Sequence, residues 1–206
     1  MTGLRERKKA RTRQEIVEAA LELFEKKGFD ETTIDDVAAA AEVSPRTIFR
    51  YFATKEDLVF LGQEEENRQI ALLLKEVAKS ADPIEELMRA TRTVLLAPSA
   101  TPEQFVRCQR LIERTPSLRA YQGRLFRKIE ELVSSALLPA RGSKHDVLHA
   151  RLLAAVYLAA LNVVMSSWIE SGAKGVPTAE LDMAEALLRR AFPRTASQAP
   201  EGRRRS

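Results

Sequence analysis

The sequence predicts an all-α protein of about nine helices, a compact N-terminal trio followed by a larger C-terminal bundle. Three observations carry this. Apolar residues recur at spacings of three and four through nearly every segment. Ser, Thr, Asp or Pro stands at most of the expected helix starts. No stretch alternates apolar and polar residues as a half-buried strand does. With 206 residues, 45% of them hydrophobic and 30% charged, the chain can bury a sizeable core and is too apolar to stay unfolded. Cys108 is the one cysteine, which excludes a disulfide framework and a cysteine-rich zinc site and suits a reducing, cytoplasmic setting. Residues 1–13 are polar and lack the apolar core of a signal peptide.

Each element follows from its own punctuation. Residues 1–12 read as a basic arm. Ile16, Val17, Ala20, Leu21 and Phe24 then make one apolar face of a helix over 13–27, and Gly28 ends it with Phe29 able to fold back. Thr33 is the N-cap of a short second helix, with Asp36 three residues on as a short capping box. Ser44 caps a third, Pro45 fills its first position, and "RTIFRYF" completes it. Thr54 with Asp57 starts a linking helix to about Ala78. Further helices are expected over 83–97, 102–115, 117–138, 145–171 and 178–192, set apart by "PSATPE", Pro116, "PARGS" and "GAKGVPT". The domains are thus 13–58 and 79–192, with a disordered basic tail at 193–206.

Charge is unevenly spread. Net charge is +4, yet residues 1–13 hold six Lys/Arg against Glu6 and residues 194–206 hold four Arg against Glu201, leaving a slightly acidic body. A basic arm running straight into the first helix suits a polyanion partner. Two short helices joined by the tight turn "AEV" (41–43) and propped by a longer one describe a helix-turn-helix. In that motif the N-terminal residues of the second helix meet base edges in the major groove. Here these are Ser44, Pro45, Arg46 and Thr47, with Arg46 able to contact guanine bidentately and Pro45 and the Thr47 methyl able to touch a thymine methyl. Ile48 and Phe52, four apart, face inward. Phe49, Arg50 and Tyr51 point to the groove walls, and Lys55 lies near a helix start that favours an anion. The alternative is a small helical trio with a merely charged outer face.

Residues 11–58, "RTRQEIVEAALELFEKKGFDETTIDDVAAAAEVSPRTIFRYFATKEDL", closely resemble the DNA-binding domain of the tetracycline-repressor (TetR) family. The resemblance implies an all-helical homodimer on double-stranded DNA, with a variable C-terminal domain for a small-molecule effector and repression relieved by that effector. It also implies phosphate contacts from Thr33 and Lys55, a backbone contact from Tyr51 and base reading from Ser44 to Thr47. Three residues depart from the family pattern. Glu42 replaces the usual turn Gly, Phe49 stands where Tyr is common, and Asp35 stands where a basic residue often helps.

In the C-terminal bundle, "LLAAVYLAALNVVM" (152–165) is apolar on all sides. The run is about 14 residues, short of the ~20 that span a bilayer, so burial is expected instead of a membrane. Its small face, Ala154, Ala155 and Ala159, together with Leu181, Ala184, Leu187 and Leu188, would form half of an isologous four-helix interface between the helices at 145–171 and 178–192; a monomer core is the alternative. Residues 109–120, "QRLIERTPSLRA", are similar to a stretch of family members that bind acyl-coenzyme-A-like ligands. On that basis Arg107, Arg110 and Arg114 would meet an anionic head, with Phe105, Leu111, Phe126, Asn162, Met165 and Trp168 lining the apolar cavity. No cofactor or metal is expected. "HDVLH" (145–149) places His145 and His149 as in a zinc helix, but Asp146 replaces the Glu base and no third ligand is apparent. The expected function is a ligand-responsive regulator and not an enzyme. The alternatives are a DNA-binding dimer controlled by a protein partner and, more remotely, a zinc hydrolase.

Overall fold

A computed structural model of the chain describes residues 3–60, 63–80, 82–96, 101–139 and 142–192. Among these residues there are ten helices and no strand: α1 (Leu4–Lys27), α2 (Ile34–Ala40), α3 (Pro45–Tyr51), α4 (Glu56–Val59), α5 (Gln63–Val77), α6 (Pro83–Leu96), α7 (Pro102–Arg114), α8 (Pro116–Leu137), α9 (Lys144–Glu170) and α10 (Thr178–Ala191). The tenth comes from the linking helix, which is two pieces, α4 and α5; residues 61–62 between them lie outside the described set. The expected disordered tail at 193–206 lies outside it too.

The basic arm is not separate from the first helix. After Gly3 no Gly or Pro interrupts "LRERKKARTRQ", whose Lys, Arg, Glu and Gln are good helix formers, and α1 runs unbroken from Leu4. It ends where the sequence says: Gly28 takes φ 91°, its N–H donates to the Phe24 carbonyl, and the Phe29 ring returns to 5.0 Å from the Phe24 ring. The caps form as read. Thr33 and Asp36 make a reciprocal capping box, Ser44 accepts from the Thr47 N–H, and Thr54 and Asp57 bond each other's backbone. Two further capping boxes, Thr101 with Gln104 and Ser143 with Asp146, open α7 and α9.

The chain divides into two compact units, Met1–Ile70 with Leu96–Lys128 and Ala71–Leu95 with Ile129–Ser206. The first, the head unit, gathers α1 to α4 with α7 and the front of α8. The five apolar residues read from the α1 periodicity all lie in its core, with Val37, Ala38, Ile48, Phe52, Leu58 and Val59. Cys108, Leu111 and Ile112 of α7 and Leu118 of α8 complete it. The sequence assigns 79–192 to one C-terminal bundle; the packing instead puts α7 with the head, because its apolar face covers α1.

In the second unit α9 packs on α10. Ala150, Leu153, Ala154, Tyr157, Val164 and Trp168 of α9 are buried, as are Leu181, Ala184 and Leu188 of α10. Ala154, Leu181, Ala184 and Leu188 therefore belong to the fold of one chain and not to the face the sequence offers a second copy. Ion pairs join α6 to α10: Arg92 to Asp182 and Glu185, and Arg189 to Glu85, with Asp82 just before α6 also held by Arg189. The 27-residue α9 is, by length and composition, long and apolar enough to cross a membrane, a test that the core helix of a soluble protein also passes.

Glu42 sits at φ 53° in the α2–α3 turn, a left-handed conformation that suits the Gly it replaces. Glu42→Gly should therefore raise the stability of the head unit by about 1 kcal/mol, read as a higher denaturation midpoint with unchanged m-value. An unchanged or lower midpoint would show that the turn carries no strain.

Candidate nucleic-acid interface

Seven residues are too few for a helix to persist alone, so α3 must be held by its neighbours. Ile48 and Phe52 do this, 0% and 1% exposed, one turn apart and sunk into the head core. The Arg13 guanidinium covers the Phe52 ring from α1, 5.5 Å from its centroid. The Ser44 cap fixes the other end. Its Oγ accepts the Thr47 N–H at 3.1 Å and is hydrogen-bonded to the Thr47 hydroxyl at 2.9 Å. Pinned on one side, α3 leaves the other open: Pro45, Arg46, Phe49 and Arg50 are all exposed. They form two rows one turn long, Pro45–Phe49 apolar and Arg46–Arg50 cationic. Tyr51 is half-buried beneath the Arg50 guanidinium, 5.2 Å from its ring centroid.

The other two expected contacts stand differently. Thr33 is exposed at the start of α2, but its N–H and its hydroxyl both donate to Asp36 Oδ2 at 2.8 Å. The Lys27 ammonium, at 2.9 Å, and Thr33 together hold the Asp36 carboxyl well below its ordinary range, so this cap keeps its charge at neutral pH and loses it only in strong acid. Lys55 is engaged within the chain. Its ammonium donates to the carbonyls of Phe29, Asp30 and Thr32 at 2.8, 3.4 and 3.0 Å and lies 4.3 Å from the Phe29 ring centroid. An ammonium has three N–H donors, and these three carbonyls occupy them. Without DNA, Lys55 clasps the α1–α2 loop. The loop is tied a second time by Ser117 of α8, whose hydroxyl donates to Asp30 Oδ1 at 2.8 Å.

The residues expected to line a ligand cavity are divided between the two units. In the head, Arg107 is committed: Nε and Nη2 grip both oxygens of Glu25 at 2.7 Å, and Nη1 reaches Glu18. That bidentate grip raises the Arg107 pKa and depresses that of Glu25. Arg107 thus fastens α7 to α1 and is not free for an anionic head, while Arg110 and Arg114 are exposed. Phe105 is half-buried and packs against the head core, Leu111 is inside it, and Phe126 is exposed. In the second unit Asn162 is exposed, Met165 is half-buried, and Trp168 is buried with Nε1 donating to the Lys174 carbonyl at 3.3 Å. A cavity of about 10 Å³ there, walled by Met88, Tyr157, Leu161 and Leu181, has room for about one water. Burial pushes the Cys108 thiol up to about 12, which keeps it protonated and unreactive. His145 and His149 are exposed, Asp146 is used by the Ser143 cap, and His149 meets the Phe192 ring edge-on at 5.7 Å. Among the described residues no three metal-ligating side chains cluster.

Comparison with known proteins bears on this arrangement. Residues 16–60 match the family model described as bacterial regulatory proteins, tetR family, and residues 81–193 match a model described as MftR C-terminal domain. The chain is 31% identical over 173 residues to the HTH-type transcriptional regulator TcmR of Streptomyces glaucescens, covering 81% of this chain and 76% of that one. Its fold is similar to that of SmeT, the repressor of the Stenotrophomonas maltophilia multidrug efflux pump SmeDEF, with TM-score 0.57 at 15% identity over 93% of this chain and 94% of that one. It is similar also to the transcriptional regulator FadR from Bacillus subtilis, solved in complex with stearoyl-CoA, with TM-score 0.54 at 18% identity over 85% and 96%.

The clasp and the groove contact can be told apart. Lys55→Ala should cost the head about 2 kcal/mol, the scale of hydrogen bonds to a charged donor, in denaturant unfolding. For the fraction that remains folded, the dependence of DNA affinity on salt should be unchanged. A slope flatter by about one ion, with stability intact, would restore Lys55 to the phosphates.

Proposed function

The chain belongs to the tetR family of bacterial regulatory proteins, and from that premise we propose that it is a ligand-responsive repressor which holds a palindromic operator as a homodimer and releases it when an apolar or amphipathic effector binds. DNA-binding transcription regulation is common to the family. The observation that carries it to this chain is the exposed double row on α3, Pro45–Phe49 and Arg46–Arg50, on a helix whose opposite side is anchored by Ile48 and Phe52. A guanidinium fork facing outward beside an apolar row suits a guanine edge in the major groove. The basic first turns of α1, with exposed Arg7, Lys8, Lys9 and Arg11, add a sequence-independent attraction to phosphate.

A single α3 reads only half a site, so a dimer is needed for a palindrome. The surface that supports one is the outer side of α9 and α10. Leu148, Leu152, Val156 and Val163 of α9 and Met183 and Leu187 of α10 are exposed, Met183 by 67% and Val163 by 66%. A row of large apolar side chains left in water marks an interaction surface. Asn162, exposed on the same helix, would sit at that interface and not in a cavity.

For the effector we put an acyl-coenzyme-A-like amphiphile first, on the likeness at 109–120. With Arg107 spent on Glu18 and Glu25, exposed Arg110 and Arg114 are the cations left for its anionic head. The effector acts only through its difference in affinity between the operator-bound and released forms. Long-chain acyl-coenzyme A titrated onto the protein–operator complex should release the DNA where free coenzyme A and a detergent of equal chain length do not. Equal release by the detergent would overturn the acyl-thioester reading. Release by no small molecule would favour control by a protein partner.

Arg46→Ala should weaken specific binding by about 1–3 kcal/mol and relax one base position per half-site, measured by fluorescence anisotropy against a set of single-base operator variants. An unchanged base preference would mean that α3 is not the reading helix. Leu152→Glu combined with Met183→Glu should convert the dimer to a folded monomer in analytical ultracentrifugation, and binding to the palindrome should fall with it. A dimer that survives both substitutions would place the interface elsewhere.

A further inference from the structure

Phe49 is the outlier on the open face of α3. It is a large aromatic side chain, 55% exposed, in the middle of the helix and one turn from Pro45. On the adjacent row stand Arg46 and Arg50. A phenyl ring has neither donor nor acceptor, so it cannot bond a phosphate; pressed against the backbone it would only strip water from charged oxygens. Its chemistry matches a different part of the duplex. The floor of the major groove is polar except for the 5-methyl group of thymine, which takes apolar contacts.

The hydroxyls of the same helix strengthen the contrast. Ser44 Oγ and Thr47 Oγ1 are bonded to each other, and Ser44 Oγ also accepts the Thr47 N–H, so the cap engages both hydroxyls and leaves them one O–H between them to donate. Most of what the helix offers the groove is the guanidinium row and the apolar row.

We propose that Phe49 is a base-reading residue, with Pro45 beside it, and that it selects a thymine methyl in each half-site close to the guanine met by Arg46. This rests on the assignment of α3 as the reading helix. It differs from the groove-wall role that the sequence suggests for Phe49, since the ring would face a base and not the backbone. Without Phe49 the protein would keep its grip on phosphate and on guanine but would no longer tell thymine from uracil, which lacks the methyl group and pairs identically.

The test begins with selection of a binding duplex from a randomised pool by the full-length protein. The thymines of the selected half-site are then replaced singly with uracil. One replacement near the essential guanine should weaken wild-type binding about four-fold, the worth of one buried methyl group, and the others should have little effect. Phe49→Ala should bind the thymine and uracil duplexes equally. Phe49→Tyr, which keeps the ring, should retain the discrimination. Circular dichroism of Phe49→Ala should match the wild type, because the side chain contributes little to the core. A wild-type protein indifferent to every uracil replacement, or Phe49→Ala retaining the full discrimination, overturns the proposal while leaving α3 as the reading helix. Failure to select any duplex, or selection unaffected by Arg46→Ala, overturns both it and the assignment on which it rests.

Discussion

Everything proposed for the DNA-facing surface depends on the burial of two side chains. A helix of seven residues gains too few backbone hydrogen bonds to offset the ordering of its chain, and alone in water α3 would not persist. Ile48 and Phe52 stabilise it from outside, each by about 1.5–3 kcal/mol of apolar burial, and their one-turn spacing fixes which side of α3 is inside. Once that side is set, the directions of Pro45, Arg46, Phe49 and Arg50 follow from helical geometry alone. The proposed reading surface is thus a by-product of the core. A core substitution that rotated α3 would misdirect all four residues without touching any of them.

The core in question is not confined to the first sixty residues. Cys108, Leu111, Ile112 and Leu118, far along the chain, close it over α1, and Arg107 locks α7 to Glu18 and Glu25. An exposed ion pair would contribute little, but this guanidinium is mostly covered and its contact with Glu25 is bidentate, which fixes orientation as well as energy. Tyr121 extends the attachment: its hydroxyl donates to Asp57 at 3.1 Å and its ring lies 5.1 Å from that of Phe60. With Ser117 on Asp30 and Lys55 on the loop carbonyls, the start of α2 and the start of α4 are both tied to neighbouring elements. α7 and the front of α8, which lie within the span matched to the C-terminal domain model, therefore share a packed interior with α3.

Local features were legible in the sequence and distant pairings were not. The inward face of α3, the stop at Gly28, the Phe29 return, the Thr33–Asp36 box and the left-handed Glu42 all concern residues within a turn of each other, where spacing determines contact. The Lys55 clasp is not legible because its partners are carbonyls 23 to 26 positions earlier, and a backbone carbonyl leaves no mark in a sequence. The Arg107 pairing is hidden by distance, its acidic partners lying 82 and 89 residues away. On α10 the apolar rows were visible but their rotation was not: Leu181, Ala184 and Leu188 turn inward onto α9, whereas Met183 and Leu187 remain outside. The outward row is marked only by the neighbour the rest of the helix has chosen.

The most direct test of the central claim is chemical interference on a selected operator. Dimethyl sulfate methylates guanine N7 in the major groove and adenine N3 in the minor groove, and duplexes that still bind can be separated from those that do not. If α3 reads the major groove from two subunits, interference should fall on guanine N7 in two patches with centres one helical turn apart or a multiple of it, and Arg46→Ala should abolish it at the guanine it contacts. Interference confined to adenine N3, or a guanine pattern that Arg46→Ala leaves intact, would contradict the account.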